Sequence, residues 1–359
     1  MNSVERVHLV LRGQIPDAVP CALYDVAIDC YNESTLKLFQ QKCKKHPCDC
    51  FRQDLRGIAL RWDEETKARH ERQGSAIREI QSASQAKEIM TLWRPEPPEM
   101  DELRLKINTL HAAGYPAVVV GTVSDFETPF ALRGREQFYC DLGYQEDWLP
   151  VFLDEVTAAA EDQARAAAMA GADIFGIGDD LGSQRGLLIA PDTWRTLFKI
   201  RLKRIVDAVK NTNPETAFFL HTDGQVGEII PDFIEIGVDI LNPIQPEVMD
   251  PAEVKRLYGS ELIFFGAISV QNTLPFGSPE QVAGEVKLRM ETIGAEGGYL
   301  MTPSHLLNAD IPWENIVAFF EAAERYGNYK LFKRLFPRKL SRSRSLLNVG
   351  YGAAKNHVI

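Results

Sequence analysis

A chain of 359 residues with 45% apolar content buries a sizeable core and has room for one large α/β domain or two small ones. One residue in four is charged and the net charge is -10, which argues against a generic nucleic-acid or anionic-membrane binder, since such partners repel an acidic surface. No stretch reaches the roughly 18 apolar residues of a membrane span, and Met1 to Arg12 lacks the apolar centre of a signal peptide, so a cytoplasmic protein is expected.

Taken in chain order, the first buried strand is expected at Val19 to Tyr24. From Tyr31 to Pro98 the rhythm breaks. Charged, Gln-rich helical sequence around Asp63 to Gln85 predicts a helical insertion or cap over 31–98, with Pro95 to Pro98 as the return linker. A helix at Met100 to Ala113 and a strand at Ala117 to Val123 follow, then a helix at Asp147 to Ala170 and a strand at Ile174 to Ile177. The alternation continues through helix Pro191 to Asn211, strand Ala217 to Leu220, helix Gly227 to Ile236 and strand Val238 to Leu241. It ends with helix Pro251 to Leu257, strand Leu262 to Phe265, helix Pro279 to Ile293, strand Gly298 to Met301 and helix Trp313 to Tyr326. Gly before strands and Pro at helix starts punctuate these units. Seven or eight βα repeats predict a parallel sheet closed as a (β/α)8 TIM barrel, one domain over 1–328. No G-x-G-x-x-G opens a helix after an early strand, which counts against an open dinucleotide-binding sheet. A basic tail over 329–359 carries Lys330, Lys333, Arg334, Arg338, Lys339, Arg342 and Arg344 and reads as a solvated helix and arm. The six cysteines, with Cys43, Cys48 and Cys50 crowded and Cys21, Cys30 and Cys140 apart, read as free thiols of a reducing compartment.

A barrel gathers its chemistry where strands end. Those positions hold Ser124, Asp125 and Glu127; Asp179 and Asp180; His221 and Asp223; Asn242 and Gln245; and His305. His221 and Asp223 stand two apart at a strand exit, so persisting strand geometry sends both side chains to one face. With His305 after the last strand they make an imidazole, carboxylate, imidazole set suited to a divalent metal with a position left open. The competing reading makes His221 a hydrogen-bonded strand end and His305 a loop histidine. Asp180 is a candidate base, substrate-orienting group or further metal ligand, and Glu127 lines a pocket or packs its loop against the cap. Asp179, Arg185, Asn242 and Gln245 are the candidate substrate contacts, although helix capping accounts equally well for one of the adjacent aspartates.

These residues resemble the uroporphyrinogen decarboxylase superfamily, in particular its corrinoid-linked methyltransferase branch. The likeness runs from Gly13-Gln14-Ile15-Pro16-Asp17 to about Tyr326. It is carried by Gly178-Asp179-Asp180-Leu181-Gly182-Ser183-Gln184-Arg185-Gly186, His221-Thr222-Asp223-Gly224, Gly237-Val238-Asp239-Ile240-Leu241-Asn242-Pro243 and Pro312-Trp313-Glu314-Asn315. The decarboxylases grip carboxylates with an Arg-rich N-terminal segment, where this chain has Leu11-Arg12-Gly13-Gln14-Ile15 and a single Arg. The methyltransferase branch holds zinc with a His-x-Cys-Gly motif and a later Cys. His221 matches the His, Asp223 replaces the first Cys, and His305 stands where the second would be.

The resemblance therefore implies a metal, zinc by preference, with a harder donor set that polarises oxygen rather than activating a thiol. It implies methyl transfer from a small methylated donor, such as a methyl ether, to a corrinoid, with a proton-handling or substrate-positioning role for Asp180 or Glu127. No Asp-x-His-x-x-Gly corrinoid signature is present, so the corrinoid is expected on a partner protein. A homodimer is compatible with the family. The rival readings are a metal-assisted decarboxylase or lyase acting on a small carboxylated substrate, which calls for an arginine clamp from Arg185 and Arg133, and a ligand-binding barrel without turnover.

Overall fold

The computed structural model describes residues 1–23, 33–43, 51–60, 64–308 and 310–335. Seven parallel strands hydrogen-bond in sequence order: β1 (Arg56–Ala59), β2 (Ala117–Val120), β3 (Ile174–Gly178), β4 (Ala217–His221), β5 (Ile240–Asn242), β6 (Ile263–Ile268) and β7 (Tyr299–Pro303). Helices follow the strands and the sheet curls into an α/β barrel. Sequential parallel pairing of this kind needs a crossover helix at each step, which the alternating pattern anticipates.

The gap between β7 and β1 is filled by an extended segment rather than an eighth regular strand. The amide of Ala22 donates to Met301 and that of Met301 to Pro20, while the Cys21 carbonyl accepts the amide of Asp54 just ahead of β1. The strand expected from Val19 is therefore a pairing segment. Pro20 lacks the amide a ladder needs, and Tyr24 lies outside the described residues. β1 itself falls inside the 31–98 stretch that reads as a helical insertion. That stretch also supplies the helices Glu64–Arg78 and Ala83–Trp93, so it is partly barrel wall.

Side chains alternate about the sheet with the expected period of two. Val118, Ile174, Ala217, Phe219, Ile240, Phe265 and Leu300 pack together inside the barrel, closed from below by Val7 and Val10 of the helix Ser3–Leu11. The alternate residues, among them Val119, Phe175, Phe218, Leu220 and Met301, face the surrounding helices. Ala217 and Phe219 being inward, His221 is inward as well, at the top of the same row. Asn242 follows Ile240 in the same way.

The helix Tyr329–Leu335 begins the expected basic tail, yet Tyr329 and Phe332 are buried against the domain. The packed body thus extends past residue 328, and the tail beyond 335 lies outside the described residues, as do Cys30, Cys48 and Cys50. No helix among the described residues is long and apolar enough to cross a membrane.

Candidate metal centre

His221 ends β4 and pairs in register with Gly178 of β3 and Asn242 of β5. Asp223 follows in a loop whose backbone is locked against the loop after β3. The Gly182 amide donates to the Asp223 carbonyl at 3.1 Å, and a Cβ on Gly224, whose φ is +87°, would meet the Gly182 carbonyl carbon at 2.3 Å. Only two glycines allow this approach. Three side chains complete the lock: Asp180 accepts the Asp223 amide at 2.9 Å, Gln245 accepts the Gly224 amide at 2.6 Å, and Thr222 accepts the Leu181 amide at 3.1 Å.

His305, on the loop after β7, comes into this same space. Ligand atoms of His221, Asp223 and His305 lie within 4.8 Å of one another; the imidazole centroids are 6.0 Å apart and His305 Nε2 is 3.6 Å from Asp223 Oδ2. Burial pushes the Asp223 carboxyl up and His305 down from their ordinary ranges, so the imidazole stays neutral, the form that ligates a metal. Asp223 Oδ1 is buried with no hydrogen-bond partner. An unmatched carboxylate oxygen between two imidazoles is costly as it stands and is relieved by a cation. The donor set therefore fits a divalent metal.

The other expected residues fall into different positions. Asp180 borders the centre, its Oδ1 3.4 Å from His221 Nε2. Glu127 begins the helix Glu127–Arg133 at the mouth and lines a cavity of about 590 Å³ with Thr122, Ser124, Phe130 and Gly178. Partial desolvation there, and then the charges of Asp180 and Asp179, push its carboxyl up to about 7. Asp179, expected as a substrate contact, has its carboxylate committed to the backbone. It is buried, and its carboxylate accepts the backbone amides of Phe126 and Glu127 at 2.8 to 3.1 Å, capping that helix from the neighbouring strand. Asn242 and Gln245 are likewise buried, with their amide groups directed to His221 and Gly224. All three residues expected as substrate contacts thus hydrogen-bond to the loops and strand end around the centre. Arg185 is exposed on a turn stabilised by Ser183.

Asp125, named from the sequence among the strand-end residues but given no role there, is buried. Its Oδ1 accepts from Thr157 at 2.8 Å, its Oδ2 has no partner, and burial pushes it up to about 7. Buried Asp179, raised to about 7 by the same cause and by Asp125 itself, lies close by.

A larger cavity, about 730 Å³, opens at the opposite end of the barrel among strand starts. Several of its charged groups are engaged within the protein: His8 with Asp173, Lys210 with Asp239, Lys255 with the Gly297 carbonyl. The C-terminal mouth, with a buried carboxylate oxygen left unmatched, is the better candidate for chemistry.

A family profile described as uroporphyrinogen decarboxylase (URO-D) matches residues 77–326. Among curated proteins, a methylcobamide:CoM methyltransferase MtaA of Methanosarcina barkeri is 31% identical over 175 residues, 48% of each chain. A uroporphyrinogen decarboxylase of Trichodesmium erythraeum is 27% identical over 186 residues, 51% of this chain and 49% of that one. The chain spans about half the length of the curated relatives it matches. Among solved structures, a methyltransferase from Methanosarcina mazei superposes with a TM-score of 0.62 at 18% identity, over 91% of this chain and 99% of that one, which bears on the fold.

Proposed function

The chain belongs to the uroporphyrinogen decarboxylase family, and on that premise we propose that it is a cytoplasmic, metal-dependent methyltransferase. It moves a methyl group from a small methylated donor, a methyl ether being the best fit, to a corrinoid carried by a partner protein. The observation that carries this reading is the convergence of His221, Asp223 and His305 around a buried, unmatched carboxylate oxygen. These three residues would hold a divalent ion, zinc by preference, which would supply Lewis acidity toward a substrate oxygen.

The remaining work belongs to the chain. Asp180 holds Asp223 in place through its amide, and the locked glycines keep the loop from relaxing. Glu127, whose carboxyl is raised to about 7 in the metal-free protein and so is about half protonated at neutrality, faces the mouth cavity. The methyl carbon would be taken by the acceptor's cobalt(I), which contributes both electrons of the new carbon–cobalt bond; the pair of the broken carbon–oxygen bond stays on oxygen, and Glu127 supplies the proton that neutralises it. Asp223 and His305 in place of thiolates favour an oxygen-bearing donor over a thiol acceptor.

The decarboxylase alternative calls for a cationic clamp. Arg133 is committed in the interior, to Asp141 at 2.7 Å and to the carbonyls of Ile77 and Arg78, and Arg185 is on the exposed turn, so methyl transfer is the reading retained.

The deciding experiment combines metal analysis of purified protein with a screen of methylated donors against a cobalt(I) corrinoid acceptor. Stoichiometric divalent metal and donor-dependent methyl-cobalt formation are expected. Protein without metal, whose activity is indifferent to His221→Ala, would sink the proposal.

A further inference from the structure

His221 can offer only one nitrogen to the proposed centre, and the interior of the barrel selects which. Its Nδ1 lies 2.7 Å from Asn242 Oδ1. An amide side chain can be turned either way round, but here the far side decides: Asn242 Nδ2 is 2.9 Å from the Phe265 carbonyl oxygen, which can only accept. The amino group therefore belongs toward Phe265, and the amide oxygen toward the imidazole. An oxygen acceptor at Nδ1 requires the proton there, which leaves the lone pair on Nε2, the nitrogen near Asp180.

The arrangement is built into the sheet. His221 and Asn242 are cross-strand partners on adjacent inward rows of β4 and β5, and Phe265 is on β6, so one buried amide links three consecutive strands. Asn242 is wholly inaccessible to solvent, which suits a group that acts through a neighbour better than the substrate contact expected of it.

We propose that Asn242 is a positioning residue: it fixes His221 in the Nδ1-H tautomer and so presents Nε2 to the metal centre. The inference rests on the metal reading given above, and it concerns a residue that touches neither ion nor substrate. Hydrogen bonds of this kind behind a ligating histidine are worth 10–100-fold in metal affinity.

The test uses the full chain labelled with 15N-histidine. In metal-free wild-type protein, long-range 1H–15N spectra should show His221 as the Nδ1-H tautomer. Asn242→Asp, which keeps an acceptor, should preserve that tautomer. Asn242→Leu should lose it, and should weaken zinc binding 10–100-fold in competition with a chromophoric chelator. Because N242L replaces a buried amide and can compromise folding, the wild-type spectrum and N242D stand as independent measurements. A wild-type Nε2-H tautomer, or N242L protein with unchanged tautomer and affinity, would overturn the inference. Wild-type protein with the Nδ1-H tautomer but no affinity for zinc would support the tautomer assignment and overturn the metal reading instead.

Discussion

The Asp179 carboxylate accepts the backbone amide of Glu127 at 2.8 Å, so one acid at the mouth holds another in position from the neighbouring strand. The bond caps a seven-residue helix that has no side-chain cap of its own. Asp179→Ala should lower stability by about 1 kcal/mol, as the loss of a helix cap does, and reduce turnover by displacing Glu127. Asp179→Asn, which retains an accepting oxygen, should fall between the two in both thermal melting and rate. Equal rates for D179A and wild type would show that the cap does not place Glu127.

Glu127 should titrate far above an ordinary glutamate. In metal-free protein its carboxyl, followed by 13C NMR, should show a midpoint near 7, the consequence first of desolvation and then of Asp180 and Asp179. A divalent cation stabilises the carboxylate, so zinc should move that midpoint down. A midpoint near 4.5 in both states would remove Glu127 as a proton donor at neutral pH.

Asp125 makes stability depend on pH in a definite direction. Its carboxyl is raised from 3.8 to about 7 in the folded state, so the native protein binds the proton more tightly than the unfolded chain. The associated stability is complete below pH 4 and is lost as pH rises toward 7 and beyond. Asp125→Asn keeps the acceptor for Thr157 and removes the titration. Calorimetry of metal-free protein between pH 5 and 8 should show a shallower decline in melting temperature for D125N than for wild type; parallel slopes would place the titration elsewhere.

Gly224 tests the lock between the loops. Gly224→Ala has to accommodate both a φ of +87° and a Cβ 2.3 Å from the Gly182 carbonyl carbon. Gly134→Ala, at φ +82° with open space around it, carries the backbone cost alone, about 1–3 kcal/mol. G224A should lose more stability than G134A and should lose metal as well, as measured by melting and by elemental analysis. Matching behaviour would show that the close approach is unimportant.

Replacing Asp223 and His305 together by cysteine should turn the centre toward soft metals. The cobalt(II)-loaded D223C/H305C protein should gain a thiolate-to-cobalt charge-transfer band absent from wild type. A spectrum without that band would mean that these positions do not ligate together.

Much of the barrel is legible in the sequence, because β2 to β7 are apolar runs with clear boundaries and the helices between them carry strong periodicity. β1 is not. Arg56-Gly57-Ile58-Ala59 is only four residues long, opens on a charge and sits in polar surroundings, so neither length nor pattern separates it from its helical neighbours. The metal-like trio is legible because its spacing at strand exits is a local signal. The roles of Asn242, Gln245 and Asp179 are not, since each is set by the partner across the sheet: the register that pairs His221 with Asn242, or the loop that brings Asp179 beneath Glu127. Asp125 is legible as a strand-end residue but its burial is not, for a related reason, since it rests on the helix Leu149–Ala170 that carries Thr157.

The extended segment through Cys21, bonded to Met301 on one side and Asp54 on the other, has a consequence for the order of assembly. The barrel is sealed by a seam between its earliest-made wall and its latest. During synthesis Val19, Ala22 and Leu23 emerge long before the strand they pair with, and their closure carries the entropy of the longest loop in the sheet. Completion of the wall, and with it exclusion of water from the row beneath His221, therefore waits for β7.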